Sequence, residues 1–448
     1  MKAPTLLFLL FYTMQVWGQS GILETYIQEG LEQNLSLQRE QLLWDEQQLK
    51  VEEARGNYFP TVSFNATYLR ALGGRTFEFP IGTLFNPIYS SLNDLSGNPS
   101  FPTDLENQVF PITPNDFYDI QFYVTQPIYN PAIYYGYKAQ QELLSVQEAQ
   151  IATRKADLRQ QIAVSYFNYL KTYAVLDIYD STKVQLQEVL RFNQALVKND
   201  KATADIVATV EFELENLKSQ RVETIKDQRV AQAFFNTLLH RELDTEIEID
   251  ESYSRFSDEE APLSPMIDQA LSTRTEPEQL QRAIKANQVL TELERKSMLP
   301  TLGLSLSGGY QAEGLDLNSD NLIGTGALSL NWTLFEGQKR KKRIAQAQKR
   351  VEQLDSELEI LKEQIQLQVI QAWNQDRSAR QKVEADRAAL RSAEKSFNII
   401  EKRYRNEQAL LVEYLDARTR FINARVALVL SAYDVHIRQA ELKRAIAL

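Results

Sequence analysis

Apolar and polar residues alternate with period two in four short segments of the chain. In the first of them, Val62, Phe64 and Ala66 fall on one face and the intervening small or polar residues on the other. The pattern predicts strands at 60–69, 117–128, 300–310 and 323–335, each with one apolar face. A half-buried sheet in water shows the same alternation, so the pattern alone does not decide between water and lipid.

The segments after the second and fourth strands follow a seven-residue apolar period. Leu144, Ile151 and Leu158 show it in the first segment, and Ile344 and Val351 begin a longer series in the second. This period favours left-handed coiled packing, and helices of this length would be roughly 100 Å long. Polar turns at 198–205 and 406–413 interrupt the two segments, which predicts helical hairpins over 131–243 and 336–446.

The order of helix, two strands and helical hairpin occurs twice, which predicts an internal two-fold repeat. Ile128 and Leu334, at the strand ends, are 206 residues apart, whereas Pro60 and Pro300, at the strand starts, are 240 apart. The additional residues of the first copy therefore lie between its strands, in the proline-rich segment 70–116. The sequence predicts a first repeat at 19–243, a linker at 244–265 and a second repeat at 266–448.

The N-terminus predicts export. Residues 1–18 combine an early lysine with a short apolar stretch, as a cleavable signal peptide does. The chain has no cysteine, which excludes disulfides, thiolate metal sites and a lipidated cysteine. Its net charge of -11 argues against nucleic acid as a partner. We therefore expect a mature exported chain with neither metal nor cofactor.

Aromatic residues close to the strand ends favour lipid around the strands. Tyr58, Phe59, Tyr129, Trp332 and Phe335 lie where the aromatic belt of a membrane barrel would be. Four strands cannot close a barrel, because the smallest transmembrane barrels need about eight. A barrel built from this chain must be shared between several copies.

These residues and their order resemble the TolC-type outer-membrane efflux channels of Gram-negative bacteria over almost the whole mature chain. The resemblance rests on Phe59-Pro60 and Leu299-Pro300 at the strand starts, on the exits at 127–130 and 334–337, and on the second turn at 403–417. It implies a mainly α protein with membrane β: a homotrimer with a shared twelve-stranded outer-membrane β-barrel and a periplasmic α-barrel of long helices. Segment 70–116 would then be extracellular, and 244–265 would contribute to an equatorial belt.

The resemblance also implies a gate at the periplasmic tip. Asp205 and Tyr404 stand at the positions of a carboxylate and a tyrosine that bond to hold the tip closed. Glu413 and Asp416 match an acidic ring at the narrowest aperture.

Two departures from the family pattern occur at the tip. Asn199 and Glu407 replace the turn glycines, and Glu tolerates the left-handed conformation less well than Asn. Ala409 replaces a gate arginine, for which Arg405 or Lys201 could substitute.

The implied partners are a periplasmic adaptor (membrane-fusion) protein, an inner-membrane pump and outer-membrane lipid, while drug, metal and protein cargoes remain equally open. A periplasmic structural or adaptor coiled coil is the alternative, although adaptors carry a single hairpin and lack two aromatic-rimmed strand pairs. An enzyme is disfavoured because His240 and His436 stand alone and no phosphate loop occurs. The basic run 339–343 fits either lipid headgroups or a solvated helical turn.

Overall fold

A computed structural model describes residues 21–112, 116–250, 253, 262–314 and 317–448. The predicted signal peptide 1–18 lies outside these residues, as do 251–252 and 254–261 of the predicted linker. The chain divides into two compact units. Unit one contains residues up to Gln48, Glu142–Lys285 and Val351–Leu448; unit two contains Leu49–Gln141 and Ala286–Arg350.

Long helices and short strands alternate along the chain. The helices are α1 (Ile22–Gln33), α2 (Leu35–Gly56), α3 (Ile81–Ser96), α4 (Pro131–Lys198), α5 (Asp205–Leu238), α6 (Leu263–Thr273), α7 (Thr275–Lys296), α8 (Lys339–Arg405) and α9 (Leu411–Ala445). The strands are β1 (Thr61–Arg70), β2 (Thr76–Phe79), β3 (Gln108–Pro111), β4 (Asp116–Tyr129), β5 (Thr301–Glu313) and β6 (Leu322–Asn331). α4 and α5 fall within the range predicted for the first hairpin, and α8 and α9 within the range predicted for the second.

Unit two contains an antiparallel four-stranded sheet in the order β1-β4-β5-β6. Its register pairs Phe64 with Phe122 and Leu304 with Leu328, so the predicted apolar faces join into one face across all four strands. The prediction was wrong at the end of β6, which stops at Asn331 although the alternation continues to 335. Asn331 already pairs with Thr301, the first residue of β5, so no partner strand remains for the next residues.

Segment 70–116, predicted as an extracellular loop, contains regular structure. β2 and β3 form a hairpin around α3, and asparagines tie that helix to the returning chain. Asn86 exchanges two hydrogen bonds of 2.9 Å with the backbone of Leu105, and Asn93 bonds the backbone of Phe101 at 2.9 and 3.0 Å. These tertiary hydrogen bonds stabilise α3. Pro87 lies inside this helix, and a proline in the sequence argues against a helix at its position.

The segment before the first strand, whose apolar spacing predicts one helix over 20–56, forms two helices that meet at Asn34. The Asn34 carboxamide donates to Leu238 O at 2.8 Å and accepts from the amides of Ser36 and Leu37, so it caps α2. A similar break separates α6 from α7 at Arg274, 240 residues later, which is also the offset between the leading prolines. The spacing of apolar residues did not reveal either break.

The core of unit one is built by the predicted heptad positions and by α1. Leu158 on α4 and Ile365 on α8 are fully buried, and Leu358 and Ala372 repeat the spacing of Ile365. Gly30 on α1 allows a close approach, because a Cβ there would lie 2.3 Å from the side chain of Ile162. Heptad packing therefore holds the long helices of this unit together.

An ion-pair network joins α4, α7 and α9 within unit one. The Glu276 carboxylate accepts from Arg274 and from Arg444, the latter at 2.8 Å, and Arg444 also donates to Asp157 at 2.7 Å. Burial alone would raise the pKa of Glu276, but the hydrogen bonds from both arginines outweigh it and lower that pKa to about 2. The network depends on an ionised Glu276.

Candidate functional site

The candidate site is the pair of turns in unit one that join α4 to α5 and α8 to α9. Both turns end their helices in the same way. In the first, Lys201 N donates to Leu196 O at 2.9 Å and Asp200 has φ 55°. In the second, Gln408 N donates to Arg403 O at 2.7 Å and Glu407 has φ 60°. These are Schellman ends, whose left-handed residue is usually glycine.

The prediction was wrong by one residue in the first turn, because Asp200 rather than Asn199 is left-handed. Asn199 instead donates from its side chain to Ala195 O at 2.8 Å. In the second turn Glu407 occupies the left-handed position, as its place in the family pattern implies. Because Asp tolerates this conformation better than Glu, the second turn carries the greater backbone strain.

An ion pair connects the two turns. Lys201 Nζ lies 2.7 Å from Glu407 Oε1, and both side chains are about half exposed, at 55% and 52%. Of the two basic residues that could replace the missing gate arginine, Lys201 therefore spans the turns, whereas Arg405 bonds Glu401 on its own helix at 2.9 Å. An exposed pair of this kind contributes about 0–1 kcal/mol.

The structure does not pair Asp205 with Tyr404. The Tyr404 hydroxyl is buried and donates to Asn193 Oδ1 at 2.5 Å, and Asn193, fully buried, donates in turn to Val189 O at 3.1 Å. Asp205 is exposed at the start of α5 and accepts from the neighbouring Thr203 hydroxyl. The predicted contact is thus replaced by a tyrosine–asparagine bond that still joins the first hairpin to the second.

Asn193 was missed by sequence reasoning, although a signal for it exists. It follows the fully buried Leu186 by seven residues, so an amide occupies a position where the heptad pattern expects an apolar side chain. A buried amide needs a partner, and a tyrosine on the opposite hairpin can supply one. Burial of the Tyr404 hydroxyl raises the pKa of Tyr404.

Aromatic rings surround this bond and connect α8 with α9. Tyr404 stacks on Tyr414 with ring centres 5.0 Å apart, and Phe192 meets Tyr404 edge-on at 5.7 Å. Phe397 contacts both Tyr414 and Phe421. Burial, the largest influence on Tyr414, raises its pKa to about 12. The region around the two turns is therefore a packed core that contains the buried Tyr404–Asn193 hydrogen bond.

The predicted acidic residues lie together on the exposed side of α9. Glu413 Oε2 accepts from Leu410 N at 2.9 Å and so caps the helix start, and Asp416 pairs with Arg420 at 2.8 Å. Tyr414 and Leu415, between them, face the core. Glu413 and Asp416 therefore share one surface, as residues spaced by three on a helix do.

Arg418 is a second residue that sequence reasoning missed. It is only 4% exposed, and its Nε and Nη1 atoms are buried without a hydrogen-bond partner among the residues that the structure describes. Burial lowers the pKa of Arg418, while the charge of Glu213 acts in the opposite direction. Arg418 is thus a buried guanidinium whose hydrogen-bonding groups are incompletely satisfied.

A cluster of metal ligands and an apolar membrane-spanning helix are both absent from the described part of the chain. No group of histidine, cysteine and acidic residues there could hold a metal ion. His436 is buried, with Nε2 2.7 Å from Tyr253 O and its ring stacked on Phe167, which is a structural role. Among the same residues, we find no helix that is both apolar and long enough to cross a bilayer.

Comparisons with known proteins agree with this architecture. Residues 266–448 match the family model described as outer membrane efflux protein. The chain is 23% identical to outer membrane protein TolC of Escherichia coli over 349 residues, or 72% of this chain and 68% of TolC. It is 24% identical to outer membrane efflux protein BepC of Brucella suis over 166 residues, which span 36% of each protein.

Solved structures of outer-membrane channels match the fold. The Campylobacter jejuni CmeC outer membrane channel superposes with a TM-score of 0.75 at 14% identity, covering 95% of this chain and 85% of CmeC. The open state of the Neisseria gonorrhoeae MtrE outer membrane channel gives 0.74 at 17% identity, covering 95% and 88%. The chain is thus related by sequence, and matched in fold, to the TolC-type outer-membrane efflux proteins, whose family domain it carries at residues 266–448.

Proposed function

We propose that the chain is one protomer of a homotrimeric outer-membrane channel, the passive exit duct of a tripartite efflux or type I secretion system. Its relatives are outer-membrane efflux proteins rather than enzymes, and the outer membrane of a Gram-negative bacterium is its location. Cargo would be selected by an inner-membrane pump and a periplasmic adaptor. The duct itself would supply a continuous path and a gate.

The observation that carries this proposal is the sheet of unit two. Its apolar face carries at least one exposed large side chain in every strand, for example Phe64 (58%), Phe122 (58%) and Leu328 (68%). Within the described part of the chain, its outer strands β1 and β6 each lack a partner on one side. Exposed apolar faces and free edges are costly in water, and a shared barrel in lipid removes both costs. Three copies would supply twelve antiparallel strands.

The tip contacts support the gate. Tyr404–Asn193 and Lys201–Glu407 both join the first hairpin to the second, so both would be broken if the hairpins separated. We propose that they hold the narrow state, with Glu413 and Asp416 of each copy forming an acidic ring at the aperture.

The matching turns support an internal duplication. Asp200 and Glu407 are 207 residues apart and end their helices with the same pair of backbone bonds. We infer two repeats, 19–243 and 266–448, connected by 244–265. Such a duplication would let one protomer supply two similar hairpins to the periplasmic α-barrel.

Fractionation combined with particle mass tests the function. The proposal expects the protein in the detergent-extracted outer membrane, with light scattering giving three chains per particle. A periplasmic adaptor or structural coiled coil would instead be released by osmotic shock without detergent. Release of that kind would overturn the channel assignment.

A further inference from the structure

One end of the sheet in unit two carries a band of exposed apolar side chains, which we call the junction belt. β1 and β5 begin at this end, and β4 and β6 finish there. Its members are large residues at the four strand–helix connections: Tyr58, Phe59, Tyr129, Met298, Trp332, Leu334 and Phe335. Phe335 is 82% exposed, and Trp332 donates its indole N–H to Met298 O at 2.9 Å. Aromatic residues of this kind favour a membrane–water interface.

A run of five basic residues, 339–343, follows the junction belt directly and forms the first turn of α8. The two arginines of the run have acidic partners. Arg343 contacts Glu294 at 3.0 Å and Glu336 at 2.9 Å, and Arg340 contacts Glu336 at 3.4 Å. Arg340 also donates to Thr333 O at 3.1 Å. The arginines therefore fix the start of the helix to the end of the strand segment.

The three lysines have a different environment. Lys339, Lys341 and Lys342 are exposed, and no acidic side chain in the described ranges pairs with them. Lys339 and Lys342, together with Phe335, line an open cavity of about 630 Å³. The aromatic ring of Phe335 thus lies beside the unpaired ammonium groups of Lys339 and Lys342. A lipid headgroup would contact the ammonium groups, and its first methylenes would contact the aromatic ring.

The position of these lysines is unfavourable without an external anion. The N-terminal end of a helix carries a partial positive charge, so cations there are destabilising and acidic residues are preferred. The first turn of α8 contains no acidic residue and three unpaired lysines, although the chain as a whole carries a net charge of -11. Phosphate groups would neutralise the lysines and also interact favourably with the helix end.

We propose that Lys339, Lys341 and Lys342 bind the phosphates of anionic glycerophospholipids in the inner leaflet of the outer membrane. The inference rests on the proposed function, because it requires the sheet to lie in that membrane with the junction belt at its periplasmic surface. Unpaired lysines near an anionic surface each strengthen binding by roughly fivefold. Nine lysines in a trimer would therefore gather a ring of anionic lipid around the base of the barrel.

Native mass spectrometry of the trimer tests this lipid ring. The protein is reconstituted in phosphatidylethanolamine bilayers with a minor fraction of phosphatidylglycerol, and the lipid that it retains is weighed. The parent should retain phosphatidylglycerol preferentially. Replacing the three lysines by glutamine should lower that preference at least about tenfold. The control replaces three other exposed lysines, Lys183, Lys395 and Lys402, and should behave like the parent.

Each alternative outcome is decisive. Equal retention of phosphatidylglycerol by the parent and the Lys339/Lys341/Lys342 variant would overturn the headgroup site, and so would an equal loss in the control variant. Retention of lipopolysaccharide in place of glycerophospholipid, in protein taken directly from cells, would overturn the assignment to the inner leaflet. Failure to form a trimer at all would refute the proposed function and not the lysine site alone.

Discussion

The hydrogen bond between Tyr404 and Asn193 makes the most specific prediction about the gate. Tyr404→Phe removes the hydroxyl that donates a hydrogen bond to Asn193 Oδ1. This oxygen then remains buried without its donor, since Asn193 is fully buried. In a separated tip both groups would be hydrated, so the substitution costs the open state little. Tyr404→Phe should therefore favour opening.

The size of the effect follows from the burial of the pair. A buried acceptor that loses its donor costs about 1–3 kcal/mol. This cost shifts an equilibrium roughly 5- to 150-fold in each protomer. If the three protomers of a trimer open together, the free-energy changes of the three substitutions add up to several kcal/mol. The variant should show more frequent or larger openings in planar bilayers and should sensitise cells to large antibiotics.

Two further variants separate this link from the one expected from the sequence. Asp205→Ala removes an exposed carboxylate that, among the described residues, accepts from the neighbouring Thr203 hydroxyl, so the conductance of this variant should stay close to that of the parent. Asn193→Leu combined with Tyr404→Phe removes both partners and leaves no orphaned oxygen. This double variant should be less leaky than Tyr404→Phe alone.

Two results would refute the reasoning. If Tyr404→Phe conducts like the parent while trimer yield is unchanged, the bond does not hold the tip closed. If Asp205→Ala opens the channel as strongly as Tyr404→Phe, the carboxylate is the true partner and the asparagine is incidental.

Three other predictions concern the barrel, the aperture and the ion-pair network. Leu304→Arg places a charge on the lipid face, which costs about 2–4 kcal/mol near the midplane of the bilayer. It should reduce trimer yield far more than Ser305→Arg on the opposite face. Equal trimer yields would contradict the assignment of the apolar face to lipid. Glu413→Ala with Asp416→Ala should remove cation preference and multivalent-cation block in bilayer recordings, and unchanged selectivity would count against the acidic ring. The depressed pKa of Glu276 contributes at most about 3 kcal/mol above pH 4.5, reduced by solvent screening, and this contribution is lost as pH falls toward about 2. Glu276→Gln should therefore lower the melting temperature at pH 7, with a difference that shrinks in acid; a difference independent of pH would disprove the linkage.

The strands were predictable from the sequence because successive side chains of a strand point to opposite faces. A strand with one apolar face therefore has apolar residues at every second position. The start of β1 at Thr61 and of β5 at Thr301 differ from expectation by one residue. The end of β6 was not predictable from alternation alone. A strand ends where its partner ends, and the pairing of Thr301 with Asn331 is a feature of the tertiary structure.

The helix breaks and the insert depended on long-range bonds that no local pattern contains. Asn34 ends α1 by bonding Leu238, more than 200 residues away, and α3 forms around Pro87 because Asn86 and Asn93 bond the returning chain.

The candidate site was predictable in part. Both turns lie within the ranges expected from the sequence, but the left-handed residue of the first turn and the partner of Tyr404 were assigned wrongly from the family pattern. A buried asparagine at a heptad position was the overlooked signal.

The central claim, a barrel shared by three copies, can be tested by cross-linking the free edges of the sheet. The chain has no cysteine, so single pairs can be introduced without background. Cysteine at Asn65 on β1 would be combined, in separate variants, with cysteine at Ile323, Thr325, Ala327 or Ser329 on the same face of β6.

Within one protomer β1 and β6 are separated by two intervening strands, or roughly 14 Å, which is too far for a disulfide. Oxidation in the outer membrane should therefore link different chains. We expect at least one of these variants to give a ladder of covalent species that ends at three chains. Absence of cross-linking in every variant, or a ladder that continues beyond three chains, would contradict the closed trimeric barrel.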